Sequence, residues 1–124
     1  MNVWIQKHDF ESDSFEFELA DEVNLLYDEY DWNSEIEKQK NCENESCDPG
    51  MGLVVGDGHT LHVCPNEEGM ALVFFDYPER SKFLGIFSST KQKCLRRGAV
   101  SRDKVHQLVH LLFQGQYEQI KSEL

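Results

Sequence analysis

Hydrophobic and polar positions along the chain follow two rhythms. Phe15, Phe17 and Leu19 alternate with Ser14, Glu16 and Glu18, and a period of two predicts a strand with one buried face. Val3-Trp4-Ile5 is a short apolar run ahead of the polar turn segment Asp9-Phe10-Glu11-Ser12-Asp13-Ser14, so the two strands predict a hairpin. From residue 20 the rhythm changes. Val23, Leu26, Tyr27 and Tyr30 stand at i, i+3, i+4 and i+7, the core-facing stripe of a helix expected over residues 20–40. Asp21 and Glu22 suit its first turn, where the helix dipole favours anions. Residues 41–50 are rich in Asn, Asp, Ser, Pro and Gly and read as a loop, because these residues compete with regular structure through side-chain bonds and special dihedrals.

Residues 52–87 predict an antiparallel meander. Leu53-Val54-Val55 is a strand, Asp57-Gly58 suits a tight primed hairpin turn, residues 60–64 return, and residues 65–69 form a longer hairpin loop. Residues 70–75 and 83–87 pair around a turn at 76–81. Both are apolar on both faces, which places them at the centre of a sheet covered on both sides. Ser101 is a good N-cap for a helix over 101–114, where Val105, Leu108, Val109 and Leu112 repeat the 3.6-residue stripe. Gly115 suits the position just past its end, and residues 116–124 add a short final helix. The sum is an α+β fold in a single domain, 1–124. Its antiparallel sheet of five or six strands, with the meander at its centre, packs with two main helices.

The composition agrees. A chain of 124 residues with eight Phe, four Tyr and two Trp fills one hydrophobic core without staples. No stretch approaches 18 apolar residues, so no membrane span is expected. The first nine residues lack the basic segment and apolar run of a secretory signal. A cytoplasmic protein with Cys42, Cys47, Cys64 and Cys94 as thiols is therefore expected.

Charge sharpens the picture. The formal net charge is −11, a poor basis for binding nucleic acid, whose phosphates are held by Lys and Arg. Residues 1–50 hold 15 acids and three bases, whereas residues 51–124 hold eight acids and nine bases. Lys91, Lys93, Arg96, Arg97, Arg102 and Lys104 cluster against Asp103 alone. The basic segment either folds back on the acidic half, or the acids solvate one face, or they form a field that steers a basic partner.

Motifs for catalysis are absent. There is no Gly-x-Ser-x-Gly, and neither Gly50-Met51-Gly52 nor Gly56-Asp57-Gly58 continues into a phosphate-binding pattern. His59, His62 and Cys64 are the best metal candidates, with Cys42 and Cys47 upstream, but their spacing matches no closed tetrahedral zinc set. His106 and His110 share a helical face without the intervening Glu of a zinc protease. No metal, no cofactor and no enzymatic activity are expected. The alternatives are a small metal-binding or metalloenzyme domain built on His59, His62 and Cys64, and a housekeeping interaction module whose acidity serves solubility.

One positive feature points to binding. Leu25, Asp28, Glu29, Trp32, Glu35 and Ile36 recur at three- and four-residue steps on the expected helix, with Asp31 beside Trp32 and Glu43, Glu45 and Asp48 in the following loop. Interfaces place Trp at their energetic centre and charge at the rim, so these ten residues are the expected partner-binding face.

The order helix, Leu53-Val54-Val55-Gly56-Asp57-Gly58, meander, and a last helix running Val100-Ser101-x3-Val105-x2-Leu108-x3-Leu112-Phe113-x-Gly115 resembles small immunity proteins of bacterial polymorphic toxin systems, in particular the class found beside nucleic-acid deaminase toxins. The resemblance covers residues 50–117 and departs at Tyr117, where the family closes on Trp, and in the four cysteines. It implies a stoichiometric inhibitor without catalysis of its own, whose partner is a basic cognate toxin. A homodimer is a second arrangement compatible with such a face.

Overall fold

A computed structural model describes residues 1–83 and 87–124, and the side chains of all of these except 81–83 and 87–89. The elements run β1 (Asn2–Gln6), β2 (Ser12–Glu16), α1 (Ala20–Glu29), α2 (Trp32–Lys40), β3 (Gly50–Val54), β4 (Thr60–Pro65), β5 (Ala71–Phe83), β6 (Phe87–Val100), α3 (Arg102–Phe113) and α4 (Tyr117–Glu123). All pairings are antiparallel, in one six-stranded sheet ordered β2-β1-β3-β4-β5-β6. The fold is α+β, with the meander β3-β4-β5-β6 packed against helices, as the pattern of the chain implied.

Alternation divides the sheet into two faces. Val3, Ile5, Met51, Leu53, Leu61, Val63, Ala71, Val73 and Phe75 are buried and join Val105, Leu108, Val109, Leu112 and Ile120 from α3 and α4 in one core. Fully burying a Leu or Phe of this kind stabilises the fold by about 1.5–3 kcal/mol. The opposite face carries Trp4, Gln6, His62, Cys64, Phe74 and Asp76, all half-buried. Gly52 belongs to this face, and a Cβ there would fall inside the Trp4 indole. Its lack of a side chain is what lets Trp4 lie flat across the strand.

Four expectations about strands and helices need correction. The helix foreseen over 20–40 is two helices. Tyr30 turns extended (φ −68°, ψ 137°), and the Asp31 side chain accepts a hydrogen bond from Ser34 N (3.1 Å), capping α2. A carboxylate that satisfies a helix-start N–H offers the chain a fresh N-terminus, which here outweighs continuation. Second, the alternating run at 14–19 does not bury a face. All five residues of β2 are exposed, and the strand ends at Glu16, with Leu19 serving as the N-cap position of α1. Third, the turn foreseen at 76–81 is strand. Backbone parity turns Pro78 toward the β4 side, opposite Gly58 and beyond the end of β4, where a missing N–H costs no ladder bond. The strand foreseen at 83–87 lies partly outside the described residues. Fourth, β6 is the sheet's edge rather than its centre, and Cys94 and Arg96 on it are exposed.

The Asp57-Gly58 turn is also wider than foreseen. Val55 N donates to His59 O (2.9 Å) around three residues, with Gly58 at φ 96°. The left-handed position favours glycine, as in three-residue hairpins. The C-terminal expectations hold: Ser101 Oγ accepts from Lys104 N (3.2 Å), and Gly115 lies at φ 69° past the end of α3. Among the described residues no helix is long and apolar enough to cross a membrane.

Candidate interaction surface

The break at Tyr30 and Asp31 dismantles the row Leu25, Asp28, Glu29, Trp32, Glu35, Ile36. Trp32 and Ile36 are buried, each 8% exposed. The Trp32 indole donates to Tyr27 O (2.8 Å) and lies 4.4 Å from the Tyr30 ring. Glu35 is buried beneath the β1–β2 hairpin. It accepts from His8 N (3.2 Å), sits 2.7 Å from His8 Nδ1 and 3.5 Å from Lys38 Nζ. Burial pushes its pKa up, but the His8 hydrogen bonds and the Lys38 charge outweigh this and leave it below the usual carboxylate value. Trp32, Glu35 and Ile36 therefore close the core and tie the hairpin to α2 rather than presenting a face.

The other expected residues scatter. Leu25 is 57% exposed on α1, and Glu29 is exposed beside it. Asp28 pairs with His106 Nε2 (2.8 Å) and Arg102 Nε (3.6 Å), joining α1 to α3. His110 Nε2 does the same with Asp21 (3.1 Å), so each of the two histidines of α3 meets a carboxylate of α1. Asp31 caps α2. Glu43 and Glu45 are exposed in the loop, and Asp48 accepts from Gln39 Nε2 (2.7 Å). Of the basic segment, Arg102 reaches the acidic half, at Asp28, whereas Lys104 pairs with Glu123 and Arg97 Nη1 donates to Glu123 O (2.8 Å) within the second half of the chain.

Where Trp32 goes inside, other apolar groups stay out. Among the described residues the large exposed hydrophobics are Phe10, Phe15, Leu19, Leu25 and Val54, with Phe10 and Leu19 about three-fifths accessible. Four of the five fall within residues 10–25. Residues 9–22 carry seven carboxylates and no base. Phe15 stacks on Phe17 at 5.9 Å, and Phe17 meets Met1, Val54, Val55 and Phe113 around an open cleft of about 630 Å³. Phe15, Phe17 and this cleft form an acid-rimmed apolar strip on the helical side of the β2 edge, whereas Phe10 lies on the opposite face with Trp4 and His62. The alternation of Phe15, Phe17 and Leu19 was visible in the sequence, but nothing local showed that β2 would overhang the helical layer.

The second surface feature is a cleft of about 500 Å³ on the half-buried face, lined by Trp4, Phe10, Cys47, Asp48, His62, Cys64, Phe74, Asp76 and Cys94 among others. His62 Nε2 lies 3.6 Å from Cys64 Sγ, as their two-residue spacing on one strand required. Burial lowers the His62 pKa and pushes the Cys64 thiol up to about 11, so both side chains are neutral near pH 7. His59 points the other way. Its ring stacks on Tyr117 at 3.7 Å and bonds to Asp57 (2.7 Å), which also accepts from Tyr117 OH (2.9 Å). His59 thus clasps α4 to the β3–β4 turn and does not join His62 and Cys64. No three His, Cys, Asp or Glu among the described residues gather as a metal site. Comparison with family models, curated proteins and solved structures found no match to this chain.

Proposed function

We propose that the protein is a stoichiometric inhibitor, an immunity protein that binds and blocks a basic, nucleic-acid-targeting toxin and has no catalytic role. One observation carries the reading: exposed Phe15 stacks on Phe17 beside the apolar cleft at Val54, Val55 and Phe113, and exposed Leu19 follows, in a segment, residues 9–22, of seven carboxylates and no base. Apolar groups clustered in the open within a polar rim mark a surface that is covered in a complex. Enzymes that act on nucleic acid present basic clefts, and a dense array of carboxylates enters such a field as phosphate does. Charge then speeds encounter, while buried apolar anchors slow release. The anchors are Phe15 and Leu19, in place of the Trp32 expected from the pattern of the chain.

The test is co-expression with the product of the neighbouring gene in growing bacteria. Growth should be restored, a one-to-one complex should elute as one species, and Phe15→Ser with Leu19→Ser should weaken it at least tenfold. If the double variant protects and binds as well as the parent chain, the strip is not the interface. If the neighbouring product is harmless and forms no complex, the inhibitor reading falls.

A further inference from the structure

We infer that β2 receives an extended, basic strand of the partner, which continues the sheet as a seventh strand; this rests on the inhibitor reading and names how it is carried out. The backbone parity of the hairpin is fixed at both ends. Phe17 N donates to Met1 O (3.0 Å) and Lys7 N to Glu11 O (2.8 Å). With the register Val3↔Phe15, Trp4↔Ser14 and Ile5↔Asp13, residues 11, 13, 15 and 17 turn their N–H and C=O toward β1. Hydrogen-bonded and non-bonded pairs alternate along an antiparallel ladder. Ser12, Ser14 and Glu16 therefore turn theirs outward, and among the described residues these backbone groups have no partner. An edge of this kind is a template for another strand.

The side chains say which strand fits. Ser12 and Ser14 are small, so a backbone can approach closely. Asp13 and Phe15 project on one face and Glu16 on the other, and all five residues of β2 are exposed. A strand lying along this edge sets its side chains beside Asp13 and Glu16, each of which pairs through one oxygen with Lys7 (3.2 Å) or the Met1 ammonium (3.0 Å) and offers the other to Lys or Arg, and beside Phe15, where an apolar residue is favoured. The matching chemistry is an extended segment that mixes basic and apolar residues. The opposite edge, β6, carries Lys91, Lys93, Arg96 and Arg97 and matches β2 in charge. Pairing of β6 with the β2 of a second copy is heterologous, however, and builds a ring or an open filament rather than a pair, and Leu95 is the one large apolar side chain among residues 90–97. The foreign strand is favoured.

An eight-residue peptide of alternating Lys and Val, blocked at both ends, is the probe, titrated into the full chain at low salt. Binding should slow hydrogen exchange at the amides of Ser12, Ser14 and Glu16. Ser14→Pro should reduce affinity at least tenfold. It removes the central outward donor, keeps every charge and Phe15, and is tolerated on an edge whose N–H faces solvent; thermal unfolding of the variant checks that the fold is kept. If the variant is unfolded, the exchange measurement on the parent chain decides alone. Binding without slowed exchange at these three amides overturns strand addition and leaves the charged, apolar strip as the interface. No binding at low salt overturns both. Slowed exchange that rises with protein concentration and needs no peptide assigns the edge to a second copy and overturns the foreign strand.

Discussion

Two segments of this protein that set carboxylates beside large apolar groups, β2 with its flanks and α2, end in opposite environments. Each interleaves carboxylates with aromatic or aliphatic groups. In α2 the apolar members, Trp32 and Ile36, are buried, and even the carboxylate Glu35 is drawn in with His8 and Lys38 as partners. In β2 the apolar member Phe15 is exposed together with every neighbour. The difference lies in what is placed opposite. Below α2 lies the β1–β2 hairpin, whose His8 supplies a donor for Glu35. The outer side of β2 faces no other element among the described residues. Composition thus indicates a sticky segment without telling whether the fold or a partner covers it.

Removing Trp32 breaks the comparison from the buried side, and the effect on folding should be the largest. Trp32→Ala leaves a cavity and orphans Tyr27 O, and should cost about 3–5 kcal/mol, read as a fall in the denaturant midpoint. A loss below 1 kcal/mol would mean that α2 does not close the core.

Glu35→Gln tests the buried charge and should cost about 1.5–3 kcal/mol, the range for hydrogen bonds to charged groups. The pH dependence has a definite sign. The folded-state pKa of Glu35 lies below its ordinary value, so its contribution is present above the unfolded pKa and is lost as pH falls through the acid range toward the folded one. Stability of the parent chain should decline over that range, and Glu35→Gln should flatten the decline. Equal slopes in acid unfolding curves would remove Glu35 from the explanation.

Phe15→Ser and Leu19→Ser sharpen the comparison from the exposed side. Phe15→Ser should change folding by less than about 0.5 kcal/mol, as surface substitutions do, and Leu19→Ser, which puts a favoured N-cap residue at the start of α1, should not destabilise the fold, while partner binding falls. If Phe15→Ser lowers stability as Trp32→Ala does, β2 is core. Smallest of all should be Glu43→Gln with Glu45→Gln. Thermal unfolding should not move, and association with a partner should slow slightly and only at low ionic strength, since exposed charges act through a screened field.

Much of the fold was legible in residues 50–124. The stripe Val105, Leu108, Val109 and Leu112, the Ser101 cap and Gly115 describe α3 nearly to its ends, and the Gly56–His59 segment marked the first turn of the meander. What was missed had no local mark. The basic strand β6 hides its alternation, because Lys91, Lys93, Arg96 and Arg97 occupy both faces of an edge that solvent reaches. Pro78 reads as a turn until β4 is known to stop at Thr60, opposite Asp76. The candidate surface fared worst: Trp32 was the strongest interface signal in the sequence and belongs to the core, and the exposed Phe15 carried the pattern of a buried face.

The sequence alone determined those features that depend on a few neighbouring residues: periodicity of two or 3.6, a cap three residues from its donor, a glycine where φ must be positive, and the excess of acid in the first fifty residues. Tertiary structure alone decided that Trp32 turns into the core, that β2 hangs beyond the helical layer, that Glu35 meets His8 across 27 positions, and that His59 serves α4 while His62 faces Cys64. Burial and partnership are properties of pairs distant in the chain. A side chain's own chemistry sets only what it would cost to leave that side chain unpaired, not which distant partner arrives.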